Sequence, residues 1–112
     1  MDTQATLSLP EPISAYLLAD QQTPEAVASC FTARAVVSDV GRIHIGTEAI
    51  KAWKVEAEKK YTYTMTPFAI ERAGEFHVVR VHVVGTFEGS PLDMTLRFKL
   101  ERGLIASMEI TV

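Results

Sequence analysis

With 112 residues the chain has room for one domain with its own core, and not for two. A formal net charge of −3, with aromatic residues that are not interleaved with Lys and Arg, argues against a nucleic-acid partner. No apolar window approaches the roughly 18 residues that a membrane span requires, and a lone cysteine, Cys30, cannot close an internal disulfide. Together with the acidic start "MDTQATLSLP", these features lead us to expect a soluble, cytoplasmic protein.

In chain order, residues 1–9 carry no periodic pattern and read as a loose tail, leaving residues 10–112 as the single domain. "LPEPISAYLLADQQ" places Pro12 at a helix start, where its missing N–H costs nothing, and Ile13, Tyr16 and Leu17 then form a helical apolar stripe. In "TPEAVASCF", Thr23 is an N-cap, Pro24 the first helical position and Glu25 a favourable first-turn charge; Val27, Cys30 and Phe31 make the stripe. "AVVSDVGRIHIG" starts as an apolar strand, reaches Asp39 just before a glycine turn, and continues with His44 between two isoleucines. "GTEAIKAWKVEAEKKY" is the clearest helix. Thr47 reads as its cap, Ile50, Trp53 and Ala57 share one face, and Lys51, Glu56 and Lys60 occupy another, with Glu56 and Lys60 in the favourable i, i+4 order.

After Tyr61 the period changes from helical to alternating. Four β-rich runs, from "YTYTMTPFAIER" to "LIASMEITV", are separated by the turn signals "AG", "GSP" and "RG". In one of them Leu92, Met94, Leu96, Phe98 and Leu100 alternate with polar residues, which is a strand with one buried and one wet face. Helices at the front and a meander behind predict an α+β fold, with helices packed on one face of an antiparallel sheet.

Few side chains in this pattern suggest chemistry. Asp39 reads equally as a carboxylate at a pocket or as a turn residue satisfied by nearby backbone N–H groups. Tyr16 reads as a core aromatic or a pocket hydroxyl, and Trp53 as core or pocket wall. His44 faces away from Ile43 and Ile45 and is expected to be solvated. His77 and His82 lie on opposite strand faces and cannot share a metal, and with a single Cys and no paired His–Glu spacing a metal site is not expected. Arg80 and His82 share a face with Val78 and Val84 that fits solvent, a dimer contact or a polar pocket wall. Cys30 reads as a small buried hydrophobe rather than a nucleophile.

The order of elements, with "F-x-x-x-A-x-V-x-D" over Phe31–Asp39, "G-T-E-A-I" opening the third helix and the closing run "R-F-K-L-E-R-G-L-I-A-S-M-E-I", resembles the nuclear-transport-factor-2-like superfamily, and within it the SnoaL-like group that includes ketosteroid isomerase and small polyketide cyclases. The resemblance covers about residues 10–112. It implies a curved antiparallel sheet wrapped on three helices, a cone enclosing an apolar pocket for a small apolar ligand, homodimers, and no cofactor. It also implies a role for Asp39, which stands eight residues after Phe31 at the position of the family's general base, and for Tyr16, close to that of a tyrosine donor if one residue is inserted between the helices. Trp53, Leu96, Phe31 and Phe98 would line the pocket. The family's second donor, a protonated acid, is missing: Leu96 occupies its strand position, and Asp93 is three residues away on the wet face. The resemblance leaves two functions open, a cofactor-independent isomerase or cyclase with Asp39 as base, and a non-catalytic ligand-binding or dimerising module.

Overall fold

The structure, a computed structural model, describes residues 7–112, so most of the tail read over residues 1–9 lies outside the described residues. Among them are three helices, α1 (Glu11–Ala19), α2 (Pro24–Ala28) and α3 (Thr47–Lys60), and six strands, β1 (Phe31–Asp39), β2 (Arg42–Ile45), β3 (Tyr63–Ala73), β4 (Phe76–Gly85), β5 (Leu92–Glu101) and β6 (Leu104–Thr111). The helix starts follow local chemistry. Prolines open α1 and α2, and the Thr23 hydroxyl accepts the Ala26 N–H at 3.0 Å. Two local expectations are corrected. Phe31 does not end α2 but opens β1, and the cap of α3 is Gly46, at φ 89°, with Thr47 as the first helical residue.

The strands form one sheet in the order β2-β1-β6-β5-β4-β3. It is mixed rather than antiparallel, because β1 and β6 run parallel while every other pairing is antiparallel. The meander β3–β6 therefore returns its last strand beside the first. Bulges at Pro67/Ala69 and Lys99/Leu100 bend the ladder, and the sheet curves without closing.

The concave face carries Val79, Val81, Val83, Leu96, Phe98 and Met108, all buried against Ile13 and Tyr16 of α1, Val27 of α2 and Ile50 of α3. The opposite face carries the exposed Arg80, His82 and Arg97. Half-buried Cys30 packs on the edge of this core.

The hairpin between β1 and β2 sets the position of Asp39. Val40 and Gly41 both have positive φ, 49° and 91°, the geometry of a tight two-residue hairpin whose twist matches its strands. The Val40 N–H also donates to the Ile110 carbonyl at 3.1 Å, and Asp39 lies in register with Ile110. Asp39 is thus fixed on two sides, by the hairpin and by β6.

Gly85, opposite Tyr63 in the β3–β4 ladder, is another fixed point, because an added Cβ would collide with the Thr62 carbonyl and with Tyr63. Gly85→Ala is expected to cost about 1–3 kcal/mol as an overpacking change; an unfolding free energy from urea titration within about 0.5 kcal/mol of wild type contradicts this close approach.

Candidate functional site

A cavity of about 480 Å³ lies between α1, α3 and the concave face of the sheet, and its wall contains Tyr16, Asp39, Trp53 and Leu96 together. Tyr16 reaches it from α1. Its ring is braced edge-on by Phe31 and Phe98, each with a centroid 5.9 Å away. Phe31 and Phe98 therefore stand behind the wall and not in it, which corrects the expectation that they line the pocket. Strand alternation put Phe98 on the correct face but could not say that Tyr16 would cover it.

The Tyr16 hydroxyl is neither sealed from the cavity nor hydrogen-bonded among the described residues. Burial pushes its pKa well above the ordinary tyrosine value, and the negative charges of Asp20 and Asp39 push it further. Tyr63, also in the wall, is raised for the same leading reason, burial, and then by Asp20, whose carboxylate accepts its hydroxyl. Both phenols stay un-ionised in the folded protein beyond the ordinary tyrosine pKa of about 10. Above that pH the unfolded chain releases protons that the folded chain keeps, so stability falls as pH rises. Tyr16→Phe is expected to flatten this alkaline loss in urea titrations across that range; an unaltered slope contradicts the raised Tyr16 pKa.

Asp39 is half-buried, and its Oδ2 accepts the Trp53 indole N–H at 3.0 Å. Among the described residues no backbone N–H donates to the carboxylate, and Oδ1 has no partner. A turn carboxylate satisfied by its own backbone would look different. Trp53 is carried by α3 and held on its other side by His44, with centroids 5.8 Å apart and planes tilted by 34°.

His44 overturns an expectation. The alternation along β2 is as the sequence indicates, but its polarity is inverted: Ile43 and Ile45 are 57% and 63% exposed, while the imidazole turns inward against Trp53, with Nε2 buried and unpartnered among the described residues. A second depression, bordered by Arg42, His44, Glu56 and Lys60, lies beside the cavity and shares Asp39 and Trp53 with it.

Arg80 and His82 are not pocket wall. Arg80 sits over the Phe68 ring and His82 Nδ1 lies 2.7 Å from Asp93 Oδ1, all on the exposed face of the sheet. Asp93 is therefore no replacement for the missing acid. Leu96, buried and in the wall, offers no hydrogen bond where that acid would stand.

Sequence reading missed Tyr61, Phe87 and Glu88 in the wall. It also missed a buried polar cluster. Lys54 Nζ lies 2.8 Å from Asp20 Oδ1 and 3.2 Å from the Tyr63 hydroxyl, with the two side chains of the ion pair only 3% and 0% exposed. The signal was present: Asp20 stands four residues after Tyr16, and Lys54 four after Ile50, so each continues a buried helical stripe. No group of three His, Cys, Asp or Glu side chains comes together in metal-binding geometry among the described residues, and no helix there is long and apolar enough to cross a membrane.

The molecule is an open curved sheet wrapped on helices, with carboxylate and phenol side chains in the wall of one largely apolar cavity. The comparisons agree. The chain is 34% identical to a candidate polyketide cyclase from Sinorhizobium meliloti, covering 99% of this chain and 100% of that one at a TM-score of 0.87. Its fold is shared with a protein of ketosteroid-isomerase-like fold from Catenulispora acidiphila in complex with trimethylamine (22% identity, 94% and 87% covered, TM-score 0.82). It is shared too with a cystatin-fold protein from Novosphingobium aromaticivorans (20% identity, 95% and 99% covered, TM-score 0.76). No protein-family model and no curated protein matches the sequence. This chain belongs to the nuclear-transport-factor-2-like superfamily, in its SnoaL-like group.

Proposed function

We propose that the cavity binds a small organic substrate and that Asp39 moves a proton at carbon, as a cofactor-independent isomerase or cyclase requires. The observation that carries this reading is the state of the Asp39 carboxylate: one oxygen is held by Trp53 and the other has no partner among the described residues, at the wall of an apolar cavity. A base so placed takes a proton from a carbon next to a carbonyl. The C–H electron pair becomes the enolate π bond, and the developing oxyanion needs hydrogen-bond donors. The Tyr16 hydroxyl is a donor in this wall with no protein acceptor among the described residues. The name of the 34%-identical relative supports the same step, since ring closure onto a carbonyl starts with removal of such a proton.

Leu96 favours a second reading, a binding module without turnover, because the acidic donor that would stand beside the phenols is replaced by a side chain with no hydrogen bond to give. Exchange of α-protons in deuterated water, followed by proton NMR over a panel of small cyclic ketones, separates the two. Saturable, enzyme-dependent exchange is the expected result; binding without exchange across the panel supports the module. A homodimer belongs to both readings, and the exposed Ile43, Ile45, Phe68 and Val84 on the sheet support it.

A further inference from the structure

The composition of the cavity wall carries information about the charge of its ligand. Five aromatic rings border it: Tyr16, Trp53, Tyr61, Tyr63 and Phe87. Tyr61 and Phe87 meet edge-on, with centroids 6.3 Å apart, where both residues are part-exposed, as is neighbouring Glu88. The charged residues of the wall are Asp39 and Glu88, both carboxylates; Lys, Arg and His contribute nothing to it among the described residues. Of the cations nearby, Lys54 is committed to Asp20 behind Tyr63, and Arg42 and Lys60 border the adjoining depression rather than this wall. The through-space influence of Asp20 and Asp39 on the Tyr16 phenol also resists the gain of negative charge.

We infer that the ligand of this cavity carries a cationic nitrogen, an alkylated ammonium or iminium group, and that carboxylates and phosphates are rejected. Aromatic faces attract such a cation through their quadrupoles, more strongly where water is excluded. An anion would instead meet Glu88 at the mouth and Asp39 in the wall, with no cation in that wall among the described residues, the like-charge juxtaposition that interfaces use to exclude wrong partners. The inference rests on the cavity being the functional site, as proposed above, and deepens it.

It also accounts for Leu96. When Asp39 takes the α-proton of an iminium ion, the C–H pair becomes a C=C bond, the C=N π pair becomes a lone pair on nitrogen, and the proton resides on Asp39. The product is a neutral enamine. No oxyanion forms, so a leucine in place of an acidic donor is no handicap.

Three probes of matched shape test the charge dependence: choline, the neutral 3,3-dimethylbutan-1-ol and the anionic 3,3-dimethylbutanoate. Each is titrated into the protein while the methyl resonances of Met65 and Met94, both in the wall, are followed by NMR. Choline is expected to bind about tenfold more tightly than the alcohol, with the butanoate weaker still, and Glu88→Gln, a substitution at an exposed position, is expected to narrow the gap. Equal affinity for the alcohol, or tighter binding of the butanoate, overturns the charge inference and leaves the cavity as a binding site. Failure of all three probes to shift the methyl resonances overturns both.

Discussion

Lys54→Met is expected to lower the unfolding free energy by about 3–5 kcal/mol, because it leaves the Asp20 carboxylate buried without its cation. Asp20 has a side chain 0% exposed, its Oδ1 is shared by Lys54 and the Tyr63 hydroxyl, and its Oδ2 is buried with no partner among the described residues. Removing the ammonium leaves the Tyr63 hydroxyl as the remaining donor to this charge. The cost lies in the orphaned carboxylate rather than in the strength of the pair. The double variant Asp20→Leu with Lys54→Met, which removes both charges, is therefore expected to recover most of the loss. Urea unfolding with an unchanged m-value measures it. A single-variant cost below about 1 kcal/mol, the range of an exposed pair, contradicts the buried geometry. The loss is a large share of the roughly 5–15 kcal/mol typical of a domain. It bears on the site as well, since the same cluster holds Tyr63 in the cavity wall.

Asp39→Asn is expected to reduce proton transfer at carbon by about 10²–10⁴-fold, the range general-base catalysis supplies. The change is isosteric. An asparagine oxygen still accepts the Trp53 N–H, and the backbone register with Arg42 and Ile110 does not depend on the carboxylate. Thermal stability is accordingly expected to move by no more than about 0.5 kcal/mol, as for changes that leave packing intact. That separation matters here, because Trp53 bridges Asp39 and His44, and a variant that displaced the indole would alter the cavity and the chemistry together. Rate loss with stability retained isolates the proton-transfer role.

How much of the fold and site was legible in the sequence depended on whether local pattern or long-range pairing decided the outcome. The prolines, Thr23 and the alternation of Leu96 and Phe98 set helices and strand faces locally, and these appear as read. Pairing of β1 with β6 is non-local, with no turn to announce it, and so the parallel ladder was invisible. The hairpin at Val40 and Gly41 could be placed, but not that β2 would turn its histidine inward and expose its isoleucines. Alternation gives a strand two faces and does not say which faces the core when the polar residue has an indole to lie against. Asp39, Tyr16, Trp53 and Leu96 were readable as candidates from position. Tyr61, Phe87 and Glu88 reach the wall from the start of the meander and from the β4–β5 loop, segments whose course depends on the curvature of the sheet rather than on any local signal.

In the function proposed, the Asp39 carboxylate takes a proton from a ligand held in this cavity. Solvent deuterium exchange, measured side by side for wild type and Asp39→Asn on the same saturating substrate, tests it most directly. Exchange is expected in wild type and is expected to fall at least about a hundredfold in the variant, with an unchanged melting temperature. Equal exchange rates in the two proteins contradict it.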